Sequence, residues 1–205
     1  MRATSVDEAV GRVQRKRGRR IQQILTTAAE LFGEHGYDAV SLEDVADALD
    51  VTKGSLYYYF ASKDELATAA IETLGNDWTD RLERLRAAQG GPPAERLREL
   101  VRAHVAIAVN EYPAALRMFL VPGTWPHAQR TRIKELRRRH DQVFRTVLTE
   151  GVESGDFATV GVDVTLQIMH TAMSQAPSWC AERAPGERDQ ALDELAGALM
   201  KLVAR

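Results

Sequence analysis

Apolar positions recur at helical spacing along most of the chain, and three helix starts are packed into the stretch from Ser41 to Leu66. Ahead of that stretch, Ile21, Ile24, Leu25, Ala28, Leu31 and Phe32 make one apolar stripe, the signature of an amphipathic helix. Gly36 is the expected C′ residue that ends it. Ser41 is followed three positions on by Asp44, Thr52 by Ser55, and Ser62 by Glu65. Each first hydroxyl can accept from an orphaned backbone N–H, and Asp44 and Glu65 can reach back as capping boxes. Val40 with Val45, Val51 with Leu56, and Ala61 with Leu66 hold the positions of hydrophobic staples. The stretch is predicted to run helix, turn, helix, turn, helix.

Further on, Leu66, Ala69, Ala70, Ile71, Leu74, Trp78, Leu82 and Leu85 predict one long helix, with Gly75 and Asn76 marking a kink. Gly90, Gly91, Pro92 and Pro93 form the clearest break. A helix follows on Leu97, Leu100, Val101, Val105, Ala108 and Val109, then a short one from Pro113 to about Leu120. VPGTWP disfavours regular helix. The pattern then predicts helices from about His127 to Gly151, from Val164 to Ala176 with Pro177 as its end, and from Glu187 to Val203. Residues 1–18 lack helical apolar spacing and contain Gly11 and Gly18, so they are expected to form a flexible basic arm. The fold class is all-α: a three-helix unit at 19–66 and a larger helical domain at 67–205.

The middle helix of the three, Thr52 to Phe60, turns only Leu56 and Phe60 inward. Gly54 and Tyr58 point the opposite way, Ser55 and Tyr57 lie on the flanks, Tyr59 sits at the boundary, and Lys53 is in the first turn. A small, hydroxyl-rich face with a cation at its N-terminal end suits a DNA major groove: glycine allows close approach, the helix N-terminus favours phosphate, and tyrosine hydroxyls can donate to phosphate oxygens. Arg15, Lys16, Arg17, Arg19 and Arg20 lie just ahead of the first apolar stripe. Beside a helix-turn-helix they read as an arm that contacts phosphates or enters the minor groove.

The run TKGSLYYYF followed by ASKDEL resembles the recognition helix and next helix start of the TetR family of transcriptional regulators. LEDVADALDV resembles the family's first helix-turn-helix element, and GYDAVSLEDVA the connection from helix 1, so the resemblance covers Arg19 to about Leu66. It implies a DNA face of Thr52, Lys53, Gly54, Ser55, Tyr57, Tyr58 and Tyr59, with Ser41 and Lys63 on flanking phosphates. The family often has histidine where Tyr59 stands. It also implies a C-terminal helical domain for ligand binding and dimerisation, and a homodimer that binds a roughly palindromic operator in double-stranded DNA and is released by a small apolar or amphipathic effector. Trp78, His104, Met118, Phe119, Trp125, Met169, His170, Met173 and Trp179 are the pocket residues this suggests. The segment around Pro177, Ser178 and Trp179 resembles the same region in regulators of lipid or acyl-thioester breakdown. A helical ligand-binding or protein-docking module that does not read DNA is the alternative.

Composition narrows the picture further. A formal net charge of −2 argues against nonspecific coating of nucleic acid. The single cysteine, Cys180, excludes an intramolecular disulfide and leaves too few thiols for a zinc cluster. No apolar run is long enough to span a membrane and no secretory signal pattern appears, so the cytoplasm is the expected address. No GxSxG, P-loop, GxGxxG, HExxH or CxxC occurs. The five histidines show no i, i+4 pair and read as surface or satisfied core residues. Hence no catalytic residue, metal or cofactor is expected. The basic run on the His127–Gly151 helix reads as a solvated face, since Glu135 and Asp141 are interspersed.

Overall fold

A computed structural model of the chain describes residues 3–111, 127–159, 161–180 and 183–204, and every regular element among them is helical. In order these are α1 (Ala3–His35), α2 (Leu42–Ala48), α3 (Lys53–Tyr57), α4 (Lys63–Ala88), α5 (Pro93–Asn110), α6 (His127–Glu153), α7 (Val162–Cys180) and α8 (Pro185–Met200). Among the described residues no helix is long and apolar enough to cross a membrane. The short helix expected from Pro113, the VPGTWP segment, and the pocket positions Met118, Phe119 and Trp125 lie outside the described residues.

The cap chemistry sets the first three turns of chain. Ser41 Oγ accepts from Asp44 N–H at 3.2 Å while Asp44 Oδ2 accepts from Ser41 N–H at 2.7 Å, a complete capping box. Ser62 Oγ accepts from Glu65 N–H at 3.1 Å, but Glu65 reaches back to Ala61 N–H at 2.8 Å, not to the cap residue. The extra methylene of glutamate carries its carboxylate one residue further. Thr52 Oγ1 accepts from Ser55 N–H at 3.2 Å and starts α3. Gly36, at φ 87°, closes α1 in the left-handed conformation open to glycine, donating to Phe32 C=O at 3.0 Å.

Two expectations are corrected. The arm is helical: α1 runs back to Ala3. Gly11 and Gly18 each weaken a helix by about 1 kcal/mol relative to alanine, but unlike proline they do not block it, and the arginines, lysine and glutamine around them favour it. The single long helix expected from Leu66 onward is found, α4 running unbroken through Gly75. Finally, α7 passes through Pro177 to Cys180. Proline forfeits one backbone bond there, while Ala176, Pro177 and Cys180 are all buried, so packing holds the last turn.

Two cores divide the helices. The smaller gathers Ile24, Ala28 and Phe32 of α1, Val45 of α2, Leu56 of α3, and Leu66, Ala70, Ile71 and Leu74 of α4; it also takes Ile133 and Leu136 from α6. The larger begins with Trp78 and Leu82 of α4 and includes apolar faces of α5, α6, α7 and α8. Each such large side chain contributes about 2 kcal/mol on burial. The small core therefore extends beyond Leu66, because one continuous helix serves both and changes core between Leu74 and Trp78. Gly75 stands at that change. A Cβ on it would lie 2.7 Å from Leu136 Cδ2, so its lack of a side chain lets α6 approach α4. The two helices are also joined by ion pairs: Arg132 to Glu72 at 2.6 Å, and Arg139 to Asp80 at 2.6 Å and Glu83 at 2.5 Å. The basic run on α6 is thus partly an α4-binding edge and not only a solvated face.

Candidate functional site

The helix-turn-helix exposes the face that its pattern predicts. Leu56 and Phe60 are buried, while Thr52, Lys53, Gly54, Ser55, Tyr57 and Tyr58 are exposed and Tyr59 is half-buried against the small core. Tyr58 is 72 % exposed, its ring meeting Tyr59 edge-on at 5.1 Å between centroids. A phenol so exposed has its hydroxyl free for a phosphate oxygen. Lys53 pairs with Glu43 of α2 and stands 5.6 Å from the Tyr57 ring centroid. Both partners of that pair are half-exposed, and pairs of that kind are worth only about 0–1 kcal/mol, so a phosphate can replace the carboxylate.

The helical extension of α1 brings the basic run to this face. Arg17 stands 6.0 Å from the Tyr58 ring centroid, and Lys16, Arg17, Arg19 and Arg20 line, with Tyr58 and Tyr59, an open cleft of about 780 Å³. Charge and hydroxyls therefore converge on one surface. The two flanking positions are more engaged. Lys63 donates to Tyr37 C=O at 2.9 Å and lies 4.4 Å from the Tyr37 ring centroid, which ties the start of α4 to the turn after α1. Ser41 commits both its N–H and its hydroxyl to Asp44, and these bonds, with the backbone N–H first, hold the Asp44 carboxyl below its usual range.

In the second domain the structure brings Trp78, His104, Met169, His170 and Met173 into the larger core, with His104 stacked on Trp78 at 4.6 Å and 6.1 Å from His170 between centroids. Trp179 is not with them. It lies about 120° round the helix from Met173, 39 % exposed, with Arg183 at 5.5 Å. His140, expected as a surface or satisfied core residue, completes the cluster: its ring is 5.0 Å from His104 and 5.8 Å from His170. The signal for it was phase. His104 follows Leu100 by four, His140 follows Leu136 by four, and His170 follows Leu166 by four, so each histidine continues the apolar stripe of its own helix.

A chain of hydrogen bonds runs through this cluster. Thr79 Oγ1 donates to Gly75 C=O at 2.7 Å and lies 3.1 Å from His140 Nδ1; His140 Nε2 lies 3.1 Å from His104 Nδ1. Burial, reinforced by the neighbouring imidazoles, holds His104 well below the ordinary histidine range and His140 down to about 3, so both are neutral. Burial also lowers His170, against the opposing pull of Asp141. His104 Nε2, His170 Nε2 and Trp78 Nε1 are buried without a hydrogen-bond partner. Among the described residues no histidine, cysteine or carboxylate group is arranged to hold a metal ion.

A capped helix-turn-helix with an exposed polar helix, carried on a larger all-helical domain with its own core, defines a DNA-binding transcriptional regulator. Residues 24–70 match the family described as bacterial regulatory proteins, tetR family, and residues 90–203 match the tetracyclin repressor-like C-terminal domain. The chain belongs to the TetR family and is a ligand-responsive, DNA-binding regulator. It is similar to the HTH-type transcriptional repressor KstR2 of Mycobacterium tuberculosis (strain ATCC 25618 / H37Rv), 28% identical over 159 residues covering 74% of each chain. The structure of ketosteroid transcriptional regulator KstR2 of Mycobacterium tuberculosis has the same fold, with a TM-score of 0.78 at 22% identity over 91% of this chain and 95% of that one. So does transcriptional regulator FadR from Bacillus subtilis in complex with stearoyl-CoA, with a TM-score of 0.68 at 20% identity, covering 88% and 96%.

Proposed function

We propose that this regulator is a homodimeric repressor in the cytoplasm, that its two α3 helices enter successive major grooves of a roughly palindromic operator, and that an apolar or amphipathic small molecule bound in the second domain releases it. It acts by binding, not by turnover. The observation that carries the DNA reading is the exposed Thr52–Tyr58 face beside the basic extension of α1. Phosphate contacts fall to Lys16, Arg17, Lys53 and the tyrosine hydroxyls, and close approach to the bases falls to Gly54 and Ser55.

Dimerisation is supported by α7. Val164, Ile168, Thr171, Gln175 and Trp179 share one exposed side of that helix, opposite the buried Leu166, Met169 and Met173. Three large apolar side chains along an exposed helix face suit a self-complementary, two-fold interface. The effector reading is supported by the buried aromatic and methionine cluster around Trp78 and His104, and by the similar folds of a ketosteroid transcriptional regulator and of FadR in complex with stearoyl-CoA. Because α4 and α6 serve both cores, a ligand that favours one arrangement of α4 against α6 changes the spacing of the two reading heads, to the extent that it binds the two arrangements unequally. The test is selection of DNA from a random-sequence library by the purified protein. Recovered sequences should share an inverted repeat with half-sites about one helical turn or somewhat more apart; a pool with no shared motif would move the assignment to a helical module that does not read DNA.

A further inference from the structure

The hydrogen-bond chain in the second domain has a direction, and the direction fixes what its end can bind. Gly75 C=O can only accept, so the single hydroxyl proton of Thr79 is committed to it at 2.7 Å. Thr79 Oγ1 must then accept from His140, which places that ring's proton on Nδ1 and leaves Nε2 as a lone pair. His104 Nδ1 has to supply the proton for the next contact at 3.1 Å. His104 is neutral, so its remaining nitrogen, Nε2, is a bare acceptor. The reverse order would set the lone pair of His140 Nδ1 against a hydroxyl whose proton is already used.

His104 Nε2 is therefore a buried acceptor without a partner, and Trp78 Nε1–H, on the ring stacked against it at 4.6 Å, is a buried donor without a partner. The two side chains are 3 % and 4 % exposed. A polar group left unpaired at such depth is costly and points to a ligand or solvent group that completes it. We propose that the effector presents a neutral hydroxyl on an apolar body to this pair, donating to His104 Nε2 and accepting from Trp78 Nε1–H. An ionised carboxylate can accept from Trp78 but meets the His104 lone pair with another. An ether or ketone likewise has nothing to donate. This rests on the reading of the second domain as the effector site, and it adds which functional group that site selects.

The experiment uses the full chain and three matched probes: decan-1-ol, methyl nonyl ether and decanoate at pH 8, each titrated by calorimetry. Decan-1-ol should bind about tenfold or more tightly than the other two, and in Trp78→Phe, which removes the indole donor with part of the ring, all three should weaken while the preference for the alcohol, which comes from donation to His104 Nε2, persists. Equal binding of all three, or a preference for decanoate, overturns the proposal and leaves the effector site standing. Binding of none of them would remove the effector reading and the proposal together. The wild-type protein supplies an independent check without any variant: long-range proton–nitrogen NMR of the imidazoles should show His104 and His140 as neutral Nδ1–H tautomers, and an Nε2–H tautomer at His104 overturns the assignment.

Discussion

Tyr58 carries the sharpest residue-level test, because its fold role and its surface role separate. The ring packs against Tyr59, whereas the hydroxyl lies on the exposed side. Tyr58→Phe should leave the unfolding midpoint unchanged and weaken operator binding about tenfold to a hundredfold, the worth of one hydrogen bond to a charged oxygen; unchanged affinity would remove the hydroxyl from the phosphate contacts. The buried histidines predict a pH dependence of stability. Their folded pKa values lie below the unfolded one, so their contribution is fully present above about pH 6.5 and is lost as the pH falls from there toward His140's value of about 3. Unfolding then takes up protons that the folded state refuses, and stability should fall by up to about 1.4 kcal/mol per pH unit for each such histidine. Urea titrations at pH 7.5, 6.0 and 5.0 check this, and a midpoint that holds or rises on acidification contradicts it. Asp44 cannot mimic the effect, since its carboxyl titrates below the usual 3.8. Which way the residues of α3 face was legible from sequence because a five-residue helix with one buried leucine has few ways to face. The histidine cluster was not, because Thr79, His104, His140 and His170 come from four helices and only packing brings them together.

At the scale of elements, starts were more legible than stops. Ser41, Thr52 and Ser62 announce their helices through side-chain bonds that sequence encodes directly. The signals at Pro177 and Gly75 both have tertiary explanations. Pro177 is retained inside α7 by tertiary burial, and Gly75 answers to a neighbouring helix that no local pattern displays. That second case makes a prediction. Gly75→Ala adds about 1 kcal/mol of helix propensity, yet its methyl would meet Leu136 at 2.7 Å in a buried contact, and overpacking of that kind costs about 1–3 kcal/mol. The expected net effect is a loss of up to about 2 kcal/mol, measured by denaturant unfolding; a more stable variant would mean that α4 and α6 do not meet as closely as described. The α1 extension is an element-level correction with a functional consequence, because a helical Lys16–Arg20 segment holds its charges at fixed positions beside Tyr58 where a flexible arm would not.

For the whole molecule, the sequence disclosed a two-domain helical plan but not the sharing of α4 and α6 between the two cores; in the mechanism we propose, that sharing links effector to operator. In the dimer we propose, the apolar face of α7 sets the assembly. Ile168→Glu places a charge at the middle of that face and should convert a dimer to a folded monomer with helical content intact, read by sedimentation, and reduce operator affinity at least a hundredfold, since both half-sites must be engaged together. A dimer that survives the substitution would place the interface elsewhere. The central claim is sequence-specific, charge-dependent DNA binding by the α3 face, and the most direct measurement is titration of the purified protein on the DNA upstream of its own gene, at two salt concentrations and with nonspecific competitor. Saturable binding that resists competitor and weakens steeply with salt is the predicted result; salt-independent binding, or binding that nonspecific DNA removes in full, would contradict it.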